Sequence, residues 1–320
     1  MPRRLFALLP LFLASTALAE PVHLRHSFGE TTVDPDKVQR IVSVGYREQD
    51  FLYALGLAPV GVHEWFGDKP FATWPWADAA RQAVGAEPEV QKGFEIDVEW
   101  VWSLEPDLIV ATFAPMDRRT YDALSEIAPV IARPEGFPEW GAPWEEELRA
   151  IARATGREAK AEDIITRLDQ KIGEAVADHP EFQGKSATMA YFTEGQIVGY
   201  RSSDGANRLL GKLGFQIPAD YDKLAGTGGN FTVSTERLDL FDLDAVLWLV
   251  ETPSRQVIEH LPAWPATRMA REHRAVWADP DLVGAMSFQT PLSIEWSLGQ
   301  LVPALSAAVS GGALDQKASH

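Results

Sequence analysis

Arg40-Ile41-Val42-Ser43-Val44 followed by Leu52-Tyr53-Ala54-Leu55-Gly56-Leu57-Ala58-Pro59-Val60-Gly61-Val62 is the stretch on which the fold is decided. The first five residues form a short β-branched run. Asp50 to Leu55 reads as a helix with apolar Phe51, Leu52 and Leu55, and Gly56 stops it where a left-handed residue closes a helix. Val60-Gly61-Val62 is the next strand. Strand, short helix and strand with tight connections is the grammar of a parallel α/β sheet.

The same grammar continues outward. A helical stretch from Glu95 to Leu104 leads through Glu105-Pro106-Asp107 into the strand Leu108-Ile109-Val110-Ala111. A helix around Thr120 to Ile127 precedes the strand Val130-Ile131-Ala132. The middle of the chain is different. Trp144 to Thr155 reads as a helix closed by Gly156, and Arg157 to Asp178 as a second, longer one, with Ile164, Leu168, Ile172 and Val176 recurring every fourth residue. At the helical rise that second span is ~33 Å, more than one small sheet needs. Pro180 and the polar residues to Lys185 end it.

After it the alternation restarts. Ala187 to Phe192 and Gln196 to Tyr200 are expected strands, Asn207 to Leu213 a helix stopped at Gly214, and Glu236 to Phe241 a helix feeding the strand Ala245 to Val250. A last helix spans about Ser293 to Val309. The two halves echo each other: Glu99, Val101 and Asp107 before Leu108-Ile109-Val110 return at identical spacing as Glu236, Leu238 and Asp244 before Ala245-Val246-Leu247. Leu55-Gly56-Leu57 and Leu213-Gly214-Phe215 are a second, looser echo. The expected architecture is α/β, two lobes each with a mostly parallel central sheet flanked by helices, joined by one long backbone helix. The lobes are residues 20–156 and 181–320, and the connecting helix is 157–180.

Composition narrows the function. The 320 residues carry 29 basic against 46 acidic side chains, a formal net charge of −17, and no cysteine. Such a chain lacks the basic surface that nucleic acid requires, and it offers no thiolate for zinc, iron–sulfur or nucleophilic chemistry. At the start, Arg3 and Arg4, the apolar run Leu5 to Leu13, and Ala17-Leu18-Ala19 form a secretory signal peptide, residues 1–19, with cleavage expected after Ala19. That run is too short to span a bilayer. The expectation is an exported periplasmic protein without a lipid anchor, since no Cys follows the cleavage site.

Arg40 to Val44, Leu52 to Val62, Glu99 to Val110 and Pro291-Leu292-Ser293-Ile294-Glu295-Trp296 together resemble the periplasmic substrate-binding proteins of ATP-driven iron–siderophore importers, a family that includes ferrichrome-type and cobalamin-type binders. The likeness covers essentially the whole mature chain. It implies two lobes, a rigid connecting helix, a ligand held in the cleft between the lobes, and no catalysis. It also implies one surface glutamate per lobe that pairs with arginines of the membrane permease. The motif places these at Glu99, counted back from Pro106, and at Glu236, where Leu243 replaces the proline. Carboxylates on two separate lobes can read a receptor's spacing, because Arg–carboxylate pairing is directional.

In such a fold the ligand lies at the carboxyl ends of the strands. The loop from His63 to Trp76 holds Trp65, Phe66, Phe71, Trp74 and Trp76, ring faces suited to a large metal chelate. Trp65, Trp74 and Trp76 are candidate ligand contacts, with packing beneath the loop as the rival reading for the last two. The loop after Val44 supplies Tyr46 and Arg47, and the strand ending at Tyr200 supplies Tyr200 and Arg201; guanidinium and phenol can grip catecholate or acidic oxygens. A surface salt bridge is the rival reading for Arg47. The resemblance adds Arg268 and Phe288, while Trp296 is expected to pack inside the last helix.

His23, His26, His63, His179, His260 and His273 are scattered, so iron is expected to be held by the chelator, with no metal site or cofactor of the protein's own. His63 or Tyr200 could still complete the shell of an incompletely chelated iron. Haem and cobalamin stay open as cargo. The acidic surface leans toward neutral or cationic chelates such as hydroxamates. The expected partners are the ferric siderophore and the permease, with the protein itself a monomer. An enzyme of the secreted hydrolase class would want a Gly-x-Ser-x-Gly turn, and Gly199 to Gly205 has the wrong spacing. Gly226-Thr227-Gly228-Gly229-Asn230 lacks the Lys of a phosphate loop.

Overall fold

A computed structural model of the chain describes residues 20–226, 229–250 and 252–311. The signal peptide and most of the Gly226–Asn230 turn's centre therefore lie outside the described residues. The chain begins with a hairpin, β1 (Val22–His26) and β2 (Gly29–Val33), paired antiparallel. It then enters a five-stranded sheet made of β3 (Ile41–Ser43), β4 (Gly61–His63), β5 (Glu89–Gln91), β6 (Leu108–Ala111) and β7 (Val130–Ala132). The spatial order is β5-β4-β3-β6-β7 and every pair is parallel. All five are short, and the inner strands β3 and β6 with β7 are mostly apolar, as expected where helices cover both faces, whereas the edge strand β5 is Glu89-Val90-Gln91. The helices between them are α1 (Glu48–Leu55), α2 (Pro75–Ala83), α3 (Val98–Ser103) and α4 (Arg118–Ser125).

Next come α5 (Trp144–Ala154) and α6 (Glu158–Asp178), the long helix read from the sequence. Ala161, Ile164, Ile165, Leu168 and Ile172 form its buried stripe. Each large aliphatic side chain in such a stripe contributes roughly 2 kcal/mol of burial. The second sheet contains β8 (Ala187–Thr193), β9 (Gln196–Tyr200), β10 (Asn230–Ser234), β11 (Ala245–Trp248) and β12 (Ala275–Trp277), in the order β10-β9-β8-β11-β12. β8, β11 and β12 pair parallel; β9 alone is reversed and pairs antiparallel with both β8 and β10. Its helices are α7 (Gly205–Lys212), α8 (Ala219–Ala225), α9 (Thr252–Glu259), α10 (Arg268–Arg271), α11 (Pro280–Phe288) and α12 (Pro291–Ser310). The expected helix at Glu236 is a 3-10 turn, Thr235–Phe241, with Leu238 and Phe241 buried.

The sequence echo has a physical counterpart. Asp107 accepts from the backbone N–H groups of Gln39 and Arg40, fastening the start of β3 to the start of β6. Asp244 accepts from the N–H and hydroxyl of Ser186 and fastens β8 to β11 in the same way. The two glycine stops also match. Gly56 (φ 78°) and Gly214 (φ 103°) are left-handed, and the next residues close the same long bond, Leu57 N–H to Leu52 C=O at 2.8 Å and Phe215 N–H to Leu210 C=O at 3.1 Å.

The long helix is not the sole bridge between the lobes. The largest core takes Leu148 and Ile151 from α5, Ile164 and Leu168 from α6, Leu209 and Leu210 from α7, and Ile294, Leu301 and Leu305 from α12. The amino end of α12 packs on α1 and α2, and its body reaches β11 and β12. Lys171 of α6 pairs with Glu295 of α12. Two long helices therefore fasten the lobes, where the sequence suggested one.

Candidate functional site

The carboxyl ends of β3, β4 and β6 place Tyr46, Trp65 and Phe113 side by side. Tyr46 stacks on Trp65 with ring centroids 5.7 Å apart and on Trp140 at 5.9 Å, both nearly parallel. Trp140 meets Phe113 edge-on at 4.7 Å, and Trp65 lies 5.7 Å from Phe113. The Tyr46 hydroxyl donates to the Phe94 carbonyl at 2.9 Å in the loop after β5. Trp140 comes from the Pro- and Gly-rich connection between β7 and α5, in a left-handed conformation (φ 58°), and is 42% exposed. Trp65 is half-buried. These rings form an aromatic wall at the edge where the first sheet faces the second lobe.

Arg47 does not join that wall as a free cation. It is buried, its guanidinium lies 3.8 Å from the centre of the Phe113 ring, and it donates to Glu147 Oε1 at 2.8 Å and to the Phe288 carbonyl. Glu147 arrives from α5, so the partner is a hundred residues away in sequence. Glu48 lies alongside, accepting from the Phe113 N–H at 2.7 Å and from the Thr112 hydroxyl, which also reaches Glu147. Burial pushes the Glu147 carboxyl up to about 7 against the pull of Arg47, and Glu48 adds to the rise. Glu48 is raised as well, chiefly by burial. The guanidinium thus pairs with the buried Glu147 while the Arg47 backbone N–H bonds the buried Glu48, an arrangement that fixes the Tyr46–Arg47 turn.

Trp74 and Trp76 belong to the core rather than the cleft. They stack at 5.1 Å, both buried, among Tyr53, Ala285 and Phe288. The reason is local: Pro75 starts α2, and Trp76 turns inward to donate through Nε1 to the buried Asp50 at 2.7 Å. Thr290 donates to the same oxygen at 2.7 Å, tying α1 to the start of α12, and burial raises Asp50 to about 6. Phe288 is buried in this cluster, so its backbone carbonyl, not its ring, reaches Arg47. Trp296 packs against Trp76 at 5.9 Å, as expected.

In the second lobe, Tyr200 and Arg201 end β9. Tyr200 is half-buried, 6.1 Å from Tyr191, and burial pushes its hydroxyl well above the usual range. Both backbone carbonyls accept from the Asn207 side chain, which fixes the turn into α7. The positive charge of Arg201 helps hold Asp222 low, after the Ser202 N–H. Arg268 is elsewhere. It donates to Asp244 at 2.9 Å, just before the start of β11.

Between the lobes Asp204 and Arg208 of the second meet the first. Arg208 approaches the carbonyls of Gly141 and Ala142 at 3.4 Å, and burial lifts Asp204 to about 6. On the α6 side of the seam a pocket of about 410 Å³ opens between α5, α6, α7 and the start of α12. Its charged wall includes Glu145 and Asp169, both already paired with Lys212.

The histidines are spoken for. His63 is buried with Nδ1 2.9 Å from the Val44 carbonyl and Nε2 2.6 Å from the Gly93 carbonyl, so neither nitrogen is open to iron. His26 is buried too, with Nε2 2.9 Å from the Thr31 hydroxyl. Among the described residues no three His, Asp or Glu cluster to hold a metal ion. Glu99 and Glu236 are both exposed. Trp140, Phe113 and Glu147 escaped the sequence reading. Trp140 carried a usable signal, an aromatic in a Pro/Gly-rich loop directly after a strand.

The sequence model of a periplasmic binding protein family matches residues 41–282. A probable siderophore-binding lipoprotein, YfiY of Bacillus subtilis, is 27% identical over 226 residues, which is 69% of this chain but slightly under two thirds, 66%, of that relative. The achromobactin-binding periplasmic protein of Dickeya dadantii is 25% identical, covering 85% of this chain and 84% of its own. A crystal structure of a periplasmic solute-binding protein from Mycobacterium smegmatis superimposes with a TM-score of 0.80 at 32% identity, covering 90% of this chain and 99% of that one. With strand ends facing each other across a seam, and a match over most of its length, the chain belongs to the periplasmic binding protein family.

Proposed function

We propose that this protein captures a ferric siderophore between its lobes outside the inner membrane and delivers it to the permease of an ATP-driven importer. The observation that carries the reading is the aromatic wall of Tyr46, Trp65, Phe113 and Trp140 at the strand ends of the first lobe, to which Tyr200 and Arg201 at the end of β9 would add the second lobe's share. Rings of this kind take up the apolar flank of a chelate, and a guanidinium can donate to its outer oxygens. Two relatives described as siderophore- and achromobactin-binding support the same cargo class. The iron stays in its chelator, since His63 is occupied by backbone carbonyls.

The loaded protein would then dock through Glu99 and Glu236, acting as a monomer. The α6 and α12 helices limit how far the lobes close. Residues 1–19 would direct export and be removed after Ala19. No described helix is long and apolar enough to cross a membrane.

Tryptophan fluorescence of the mature protein tests the cargo. Ferrichrome, ferrioxamine B, a ferric catecholate and a ferric carboxylate siderophore would be titrated beside haemin, cobalamin and ferric ion, with inner-filter correction. Saturable quenching by one siderophore class is expected. Quenching by haemin or cobalamin alone would keep the fold and replace the cargo. Silence across the panel from folded protein would remove the iron reading.

A further inference from the structure

Two of the large apolar side chains exposed on the described surface, Phe94 and Trp102, fall in one segment that also carries Glu95, Asp97 and Glu99. Trp102 is 69% exposed. It stands three residues after Glu99 on α3, so the two share a helix face, while Val101 and Leu104 are buried on the other side. Asp97 is the helix cap, accepting from the Glu99 and Trp100 N–H groups at 3.0 Å. Residues 93–106 contain no Lys or Arg. Among the described residues Glu95, Glu99 and Glu105 form no ion pair.

The second lobe is built differently at the matching place. Glu236 is exposed, but its neighbour Arg237 is exposed too and pairs with Asp239 at 3.0 Å, and Leu238 is buried. No large exposed apolar side chain lies in the described stretch 230–241. Glu99 follows β5 on α3, and Glu236 follows β10 in the 3-10 turn.

We propose that Trp102 is the apolar anchor of the docking face to which Glu99 contributes charge. The occupant is the outward face of the permease, presenting arginine or lysine around an apolar recess that accepts an indole. This rests on the docking role of Glu99 and adds that the two lobes dock unequally, the first carrying most of the hold. Charge complementarity selects the occupant. A second copy of a chain with net charge −17 would set unpaired carboxylates against like charge, whereas a basic surface satisfies them. An exposed Trp beside a charge has the composition of an interface hot spot, a buried aromatic ringed by polar contacts.

The test is uptake of radiolabelled iron, supplied as ferrichrome, ferrioxamine B and staphyloferrin B, in cells of the source organism lacking the gene. These are complemented with wild type, Trp102→Ala, Glu99→Ala or Glu236→Ala. Ligand affinity and the unfolding midpoint of each purified variant are measured in parallel. Trp102→Ala should slow uptake about tenfold or more at limiting ligand, and Glu236→Ala only a few-fold, with affinity and midpoint unchanged. Full uptake with Trp102→Ala while Glu99→Ala fails would overturn the anchor and leave the docking reading standing. Full uptake with every variant would remove both, as would no wild-type uptake from any complex. A wild-type dimer in sedimentation that Trp102→Ala dissociates would reassign the face to self-association and overturn the proposal.

Discussion

The two lobes share a plan and spend it differently. Both clamp a central pair of parallel strands with one aspartate, Asp107 or Asp244, and both stop a helix with the same glycine motif. At the strand ends they part. The first lobe keeps all five strands parallel and crowds its edge with Tyr46, Trp65 and Phe113 over a buried Arg47–Glu147 pair. The second reverses β9 between β8 and β10, and Tyr200 and Arg201 come at the end of that reversed strand. One edge is a preassembled apolar wall whose charge is consumed internally; the other offers polar groups. The lesson is that an arginine at a strand end tells nothing of its role until its partner is known. Arg47 and Arg201 looked alike in sequence, yet Arg47 is buried and paired with Glu147 from a distant helix.

That contrast can be broken most forcefully at Arg47. Arg47→Ala leaves Glu147 and Glu48 buried together without their cation, and should cost about 3–5 kcal/mol in urea unfolding. A loss under 1 kcal/mol would mean that the pair does not brace the first lobe. Trp65→Ala should weaken siderophore binding by roughly 10- to 100-fold with little change in stability, read by calorimetric titration. An unchanged affinity would move the ligand off the aromatic wall.

The buried acids sharpen the comparison through pH. Asp50 and Asp204 at about 6 and Glu147 at about 7 lie above the ordinary carboxylate range, so the fold favours their protonated forms. The stability they lend is full below about pH 4 and is lost as pH rises through about 6 to 7. Asp244 behaves oppositely: burial would raise it, but Ser186 and Arg268 hold it at about 2, so its contribution disappears only in strong acid. Asp50→Asn should therefore remove about 1.4 kcal/mol of the difference in unfolding free energy between pH 5 and pH 8. An unaltered pH slope would show that the Asp50 carboxyl is not raised and is already ionised within the fold at pH 5. The smallest effects are expected in the second lobe. Arg201→Ala should reduce affinity by about tenfold and change stability by under ~1 kcal/mol, whereas Arg268→Ala should leave affinity untouched.

Much of the scaffold was legible because it is local. β6, β7 and β9 have the limits read from the sequence, and Gly56 and Gly214 end their helices as Gly does in a left-handed cap. The stripe on α6 showed because one face alone is apolar. What hid was long-range or unpatterned. The segment around Trp74 and Trp76 read as a loop because Pro75 and the dense aromatics mask a helix start, and because Asp50, the acceptor that draws Trp76 inward, lies in another element. Almost all of α11 is apolar, so it has no amphipathic stripe to announce it. The second bridge, α12, could not be seen because its two halves pack on different lobes. Glu147, the residue that decides the fate of Arg47, carries no mark of its own in a chain with 46 acids.

The most direct measurement is diffraction at the iron absorption edge from crystals of the mature protein loaded with the siderophore that quenches its fluorescence. The expected result is one anomalous peak between Trp65 and Trp140 on one side and Arg201 on the other, with no protein atom bound to iron. A peak in the α5–α6–α7 pocket beside Lys212, or one coordinated by His63, would contradict capture between the strand ends of the two lobes.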